Sequence, residues 1–131
     1  IVSPDHPLAK RKAVSLKEIR EYPFIIRAKG STTRRILFHA FEENDIHPSL
    51  MIEAGSSEFI KQWVSEGKGV SVIVRRSGED EEKRGMIKMI RLLEKLHLEV
   101  AVLYLKEERA NPVIKAFIRY MENKRRDFSQ V

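Results

Sequence analysis

The stretch YPFIIRAKGSTTRRIL, residues 22–37, decides the fold. Phe24, Ile25 and Ile26 follow one another without a polar break, and Pro23 stands just before them. A short strand that is apolar on both of its faces is one covered by helices above and below. Gly30 ends the run, and Ser31, Thr32 and Thr33 offer side-chain oxygens to the start of a helix. Ile36, Leu37, Ala40 and Phe41 then recur on one helical face. The order is strand, glycine turn, amphipathic helix.

Working outward, the same unit recurs. Upstream, Ser15 and Glu18 have capping-box spacing, and Val14 and Ile19 are placed as a hydrophobic staple. That helix should stop near Tyr22, because Pro23 disfavours helical backbone in the residue before it. Downstream, Leu50, Met51 and Ile52 read as a second strand, and a helix starts at Gly55-Ser56-Ser57 with Phe59, Ile60, Trp63 and Val64 on its apolar face. Gly67 suits the left-handed position after a helix. VSVIV, residues 70–74, is β-branched and predicts a central buried strand.

Residues 77–84 read as a short surface helix. Residues 86–93 fit a strand or a helix, and we read a strand over 86–90. Residues 98–105 read as a further strand. Asn111 caps the last helix with Pro112 at its first position, Ile114, Phe117, Ile118 and Met121 form its apolar face, and residues 124–131 form a frayed tail. Strand–helix units in series predict an α/β fold: a mixed, mostly parallel sheet of about five strands with helices on both faces, and Ile25, Ile52, Val72 and Val102 in its interior.

The 131 residues suffice for one ordinary domain. The 25 Lys and Arg exceed the 19 Asp and Glu, a net charge of +6. A basic balance suits nucleic acid or anionic ligands, although both signs are interspersed, which also describes a well-solvated surface. Without cysteine there is no disulfide, thiolate metal site or cysteine nucleophile. No apolar run approaches the roughly 20 residues of a membrane span, and no signal peptide is visible. The chain opens on Ile1-Val2, a strand-like pair without an initiating Met, which we read as a piece of a longer protein.

Chemistry has two candidate sites, both strand-to-helix turns. Gly30-Ser31-Thr32-Thr33 and Gly55-Ser56 each place a glycine, then hydroxyls, at a helix start. Glycine allows close approach to the backbone, and free N–H groups at the positive end of a helix dipole favour an anion. Simple helix capping explains the same residues. No Walker motif is present, and Gly67-Lys68-Gly69 suits a tight turn. His6, His39, His47 and His97 are not at metal-ligand spacing. Glu79 to Glu82 read as a solvated helix N-terminus, and Trp63 as core. The basic run Lys124-Arg125-Arg126 fits a nucleic-acid contact or a solvated helix end. No catalytic constellation, metal or cofactor is expected.

Ser3-Pro4-Asp5-His6-Pro7-Leu8-Ala9 followed by Val14 to Ile19 resembles the opening of the second lobe in LysR-type effector-binding domains. Tyr22 to Ile26 is similar to the strand that follows there, and Gly30-Ser31-Thr32-Thr33-Arg34 to the family's glycine-serine-threonine-arginine turn. Gly55-Ser56-Ser57-Glu58 with Val64, Gly67, Gly69 and Val70 resembles a third segment, and the closing strand and the helix from Asn111 also fit. The proline usual after the central strand is absent, and Val74-Arg75 stands there.

This resemblance implies a Rossmann-like lobe of the type 2 periplasmic-binding-protein fold. Residues 1–105 would be the second lobe with its hinge strand. Residues 106–131 would be a C-terminal helix and tail of the first lobe, whose remainder is missing together with the DNA-binding helix-turn-helix. It implies a cytoplasmic, homo-oligomeric transcriptional regulator that binds a small, anionic effector through Gly30, Ser31, Thr32, Thr33, Gly55 and Ser56. It implies DNA contact only through the missing helix-turn-helix, and no membrane partner. The alternative is a solute-binding protein of a transport system with the same fold. An enzyme on the same scaffold is a third possibility, which the lack of a catalytic constellation disfavours.

Overall fold

The computed structural model describes residues 1–99 and 101–128. In chain order its elements are a 3-10 turn Pro7–Lys10, β1 (Ala13–Val14), α1 (Leu16–Ile19), β2 (Phe24–Arg27), α2 (Thr32–Glu43), β3 (Met51–Ala54) and α3 (Ser57–Ser65). A 3-10 turn Arg75–Ser77, α4 (Glu79–Lys83), β4 (Arg91–Leu92), a 3-10 turn Lys106–Ala110 and α5 (Pro112–Phe128) follow. The chain divides into two compact units, Ile1–Leu98 and Glu99–Val131.

β2 organises the first unit. Phe24, Ile25 and Ile26 are all buried, and they alternate between two cores. Phe24 and Ile26 point to the side of Leu37, Ala40 and Phe41 of α2. Ile25 points to the other side, with Ile60 and Val64 of α3. This is the two-faced covering that three consecutive apolar residues require. β2 pairs in parallel with β3, from Phe24 opposite Met51 to Arg27 opposite Ala54. β1 pairs in parallel with β4.

The five-strand sheet is not found. The described residues hold four strands, in two parallel pairs. Residues 70–74 join β2 through one parallel bridge, Val70 to Phe24. Val70 N–H donates to the Pro23 carbonyl (2.9 Å), Ile25 N–H to the Val70 carbonyl (2.8 Å) and Ser71 Oγ to the Ile25 carbonyl (2.7 Å). Val70 and Ser71 are buried, but the ladder goes no further and Val72 is only half-buried. In residues 86–90 a single antiparallel bridge links Lys88 to Val2, and Ile87 is buried.

The strand expected over 98–105 is absent among its described residues; Val100 lies outside them. Val102 is 41% exposed and Leu103 93%, so Val102 is not interior. A strand exists only where a partner strand takes its hydrogen bonds, and residues 101–105 have none among the described residues. α5 begins at Pro112, where Asn111 Oδ1 accepts from Val113 N–H (2.9 Å). It runs on to Phe128, so the first part of the expected tail is helical, and residues 129–131 lie outside the description.

Local signals were realised closely. Ser15 Oγ accepts from Glu18 N–H (3.3 Å), and Glu18 Oε2 accepts from Ser15 N–H (2.8 Å), completing the capping box. The Ser15 backbone N–H, foremost, holds the Glu18 carboxyl below its ordinary pKa. Val14 and Ile19 are both buried in one core. α1 ends at Ile19, sooner than Pro23 alone demands. Ser15→Ala should lower unfolding free energy by about 1 kcal/mol, read as a shifted urea midpoint with unchanged slope.

Candidate functional site

β2 and β3 run parallel, so the turns that follow them lie at the same edge of the sheet, where ligands of α/β folds bind. At the end of β2, Ala28 N–H donates to the Ala54 carbonyl (3.0 Å) and Ser31 N–H to the Ala28 carbonyl (3.3 Å). Gly30 sits between them at φ 91°, a conformation open to glycine and costly for a side chain. Ser31 takes the N-cap position of α2, yet its side chain makes no capping hydrogen bond. The first helical bond is Arg35 N–H to the Ser31 carbonyl (3.1 Å). The N–H groups of Thr32, Thr33 and Arg34, and the hydroxyls of Ser31, Thr32 and Thr33, therefore find no hydrogen-bond partner among the described residues. Helix starts leave such donors unpaired, and a side chain, water or ligand must satisfy them.

An open cavity of about 280 Å³ lies against this turn, lined by Lys29 to Thr32 with Arg34, Arg35 and Phe38. Thr33 is not on its wall. Arg34 Nη1 donates to Glu53 Oε2 (2.6 Å) and to the Arg27 carbonyl (3.0 Å), and its guanidinium lies 4.8 Å from the centre of the Phe38 ring. Arg27, Lys29 and Arg35 form no ion pair among the described residues. The turn thus gathers cations, free N–H groups and free hydroxyls, which together suit an anion. Sequence reading found the turn, Lys29 included, but not Arg35 and Phe38 as its wall. The signal was present, since Arg34 and Phe38 stand four apart on one helix face.

The second turn is built differently. Ser56 Oγ accepts from Phe59 N–H (3.1 Å) and so caps α3. Ser57 is held by Arg27, whose Nη1 donates to Ser57 Oγ (2.7 Å). Gly55 is exposed, and a Cβ there would meet nothing within 4 Å. Capping accounts for the Ser56 hydroxyl, and neither Gly55 nor Ser56 lines the cavity beside α2.

Elsewhere, the acidic run of α4 is more engaged than a solvated helix start. Glu81 Oε1 pairs with the buried Lys61 (2.6 Å), and Glu82 Oε1 accepts from Met89 N–H (2.9 Å). Trp63 is half-buried against the α3 core, and its ring lies tilted against that of Phe59, centroids 4.6 Å apart; Phe59 is 41% exposed. His6 Nδ1 accepts from Leu8 N–H (3.1 Å), and burial, then the chain's amino terminus, push its pKa below the ordinary value. His39 pairs with Glu43 and His47 with Asp45, both at the surface. Among the described residues no cluster of three His, Asp or Glu could hold a metal. No helix there is long and apolar enough to cross a membrane.

Residues 1–126 match the family described as the LysR substrate binding domain. The RuBisCO operon transcriptional regulator of Acidithiobacillus ferrooxidans is 30% identical over 118 residues, 89% of this chain and 38% of that protein. The transcriptional regulator CfxR of Cupriavidus necator is 38% identical over 73 residues, 56% of this chain and 23% of that protein. The chain thus spans well under half of these curated relatives, both of them transcriptional regulators. The regulatory domain of Synechocystis CcmR, solved in complex with 2-PG, superposes with a TM-score of 0.71 at 25% identity, covering 91% of this chain and 58% of that one. The α/β architecture is that of LysR regulatory domains, of the type 2 periplasmic-binding-protein kind. By sequence motif, fold and relatives alike, this chain belongs to the LysR family as a substrate-binding domain.

Proposed function

We propose that this chain forms one wall of a small-molecule effector site in a transcriptional regulator, with Gly30, Ser31, Thr32 and Thr33 as its main contribution. The effector is a small anion. The observation that carries this reading is the uncapped start of α2, where unpaired N–H groups and hydroxyls meet Lys29, Arg34 and Arg35 around an open cavity. Gly55 and Ser56 contribute less, because the Ser56 hydroxyl already serves the helix. CcmR's complex with 2-PG makes that compound, 2-phosphoglycolate, the first probe to try.

In this reading residues 1–105 are the second lobe with its hinge strand, and residues 106–131 belong to the first lobe. The exposed Val113 and Phe117 of α5 support it, since apolar side chains on one helix need a cover. The rest of the regulator supplies the first lobe and a DNA-binding helix-turn-helix, and the whole acts in the cytoplasm as a homo-oligomer. The two curated relatives named above, both transcriptional regulators, disfavour the transport alternative.

Thr32→Ala in the full-length regulator tests the site. The lost hydroxyl should weaken binding of 2-phosphoglycolate by about 1–3 kcal/mol, because its partner on the effector is left unpaired. Thr32 makes no capping bond, so the thermal midpoint should hold, with stability changed by less than about 0.5 kcal/mol. Unchanged affinity in calorimetry, with a lowered midpoint, would return Thr32 to a purely structural role.

A further inference from the structure

Arg34 is held in an unusual way. Both of its polar contacts, to Glu53 Oε2 (2.6 Å) and to the Arg27 carbonyl (3.0 Å), use the same nitrogen, Nη1. Phe38 packs against the guanidinium one helical turn on. Nη2 and Nε meet no acceptor among the described residues, and they are not among the buried unpartnered atoms, which are Arg27 Nε and Glu94 Oε2. The Arg34 side chain is 18% exposed and lines the cavity beside α2. A guanidinium fixed by one corner keeps its other donors, a planar fork that matches two oxygens of a carboxylate or phosphate.

We propose that Arg34 is the residue that reads the shape of the effector's oxyanion, donating from Nε and Nη2 while Glu53 and the Arg27 carbonyl fix the plane of the guanidinium. This rests on reading the α2 turn as the effector site. The Arg34–Glu53 pair is electrically neutral as a unit, so the long-range pull on an anion comes from Lys29, Arg35 and the start of α2. Arg34 contributes geometry. Because the ion pair and the stacking on Phe38 already hold its rotamer, little side-chain freedom is lost when the effector arrives.

Charge and geometry separate experimentally. The full-length regulator, Arg34→Lys and Glu53→Gln are titrated calorimetrically with 2-phosphoglycolate and with inorganic phosphate, at low and at moderate salt. Lysine keeps the charge and loses the fork, so Arg34→Lys should lose about ten- to a hundredfold in affinity with an unchanged dependence on salt. Glu53→Gln leaves the fork in place and should lose only a few-fold. Equal losses in the two variants would mean that Arg34 acts only by bracing the turn through Glu53, and would overturn the proposal. Unchanged affinity in Arg34→Lys would overturn it as well. If the unmodified regulator takes up neither anion, the effector reading fails first, and this inference falls with it.

Discussion

Gly69→Ala should destabilise the first unit by about 3 kcal/mol, the largest effect expected of a one-carbon change here. An added Cβ would run into the Pro23 carbonyl oxygen, and would also lie 3.2 Å from the carbonyl carbon and 3.3 Å from Ile25 Cγ1. The obstacle is backbone, which cannot swing aside like a long side chain. It is also the backbone that Val70 uses, since Val70 N–H donates to that same Pro23 oxygen (2.9 Å). Relief therefore means pulling residues 69–71 off β2 and losing their hydrogen bonds to Pro23 and Ile25 together. Gly55→Ala is the control. A Cβ there meets nothing within 4 Å, and the change should stay within about 0.5 kcal/mol. Urea denaturation of both variants in parallel checks this, and equal midpoints would contradict the close approach of the two segments.

Glu81→Ala is expected to cost about 2–3 kcal/mol, because it strands a buried ammonium. Lys61 projects from α3 with its side chain 9% exposed, where Nζ donates to Glu81 (2.6 Å), Glu58 (3.0 Å) and the Ser77 carbonyl (3.0 Å). Glu58 is 78% exposed and cannot replace the inner partner. Burial alone would lower the Lys61 pKa, but the hydrogen bonds to Glu81 and Glu58 outweigh it and the net shift is upward. The hydrogen bond from Lys61, foremost, holds the Glu81 carboxyl below its ordinary 4.5. A depressed carboxylate stabilises the folded state above its unfolded pKa, and that contribution is lost as pH falls through the folded value. The raised Lys61 contributes fully below its ordinary 10.5, so the pair stays charged around neutrality and fails on the acid side. The gap in thermal midpoint between the unmodified chain and Glu81→Gln should be wide at pH 7 and narrow on the acid side of 4.5, as pH falls through the depressed folded value. Replacing both partners at once, Lys61→Met with Glu81→Leu, strands neither charge and should cost far less than Glu81→Ala alone.

These residues also show what the sequence could disclose. The capping box of Ser15 and Glu18 was legible because both partners lie within one helical turn. β2 was legible because Phe24, Ile25 and Ile26 are apolar without interruption, a pattern that only two-sided burial explains. Residues 70–74 and 98–105 have equally good strand composition, yet the first keeps one bridge and the described part of the second none. A ladder needs a partner, and partners are non-local. For the same reason β1 went unread, and β4, its partner far along the chain, lies just past the strand read over 86–90. At the site, glycine and hydroxyls marked both turns. Only the structure showed that Ser56 caps its helix while Ser31 does not. The Lys61–Glu81 pair joins helices that composition could not bring together, so Glu81 read as one of a solvated run.

If the start of α2 binds an anionic effector, the bound ligand must be visible against that turn. The most direct test is a crystal structure of the full-length regulator grown with 2-phosphoglycolate. The ligand's oxygens should lie within hydrogen-bond reach of the Thr32 hydroxyl and of the N–H groups of Thr32 and Thr33, with Arg34 beside them. A ligand seated elsewhere, with no contact to residues 30–34, would contradict it.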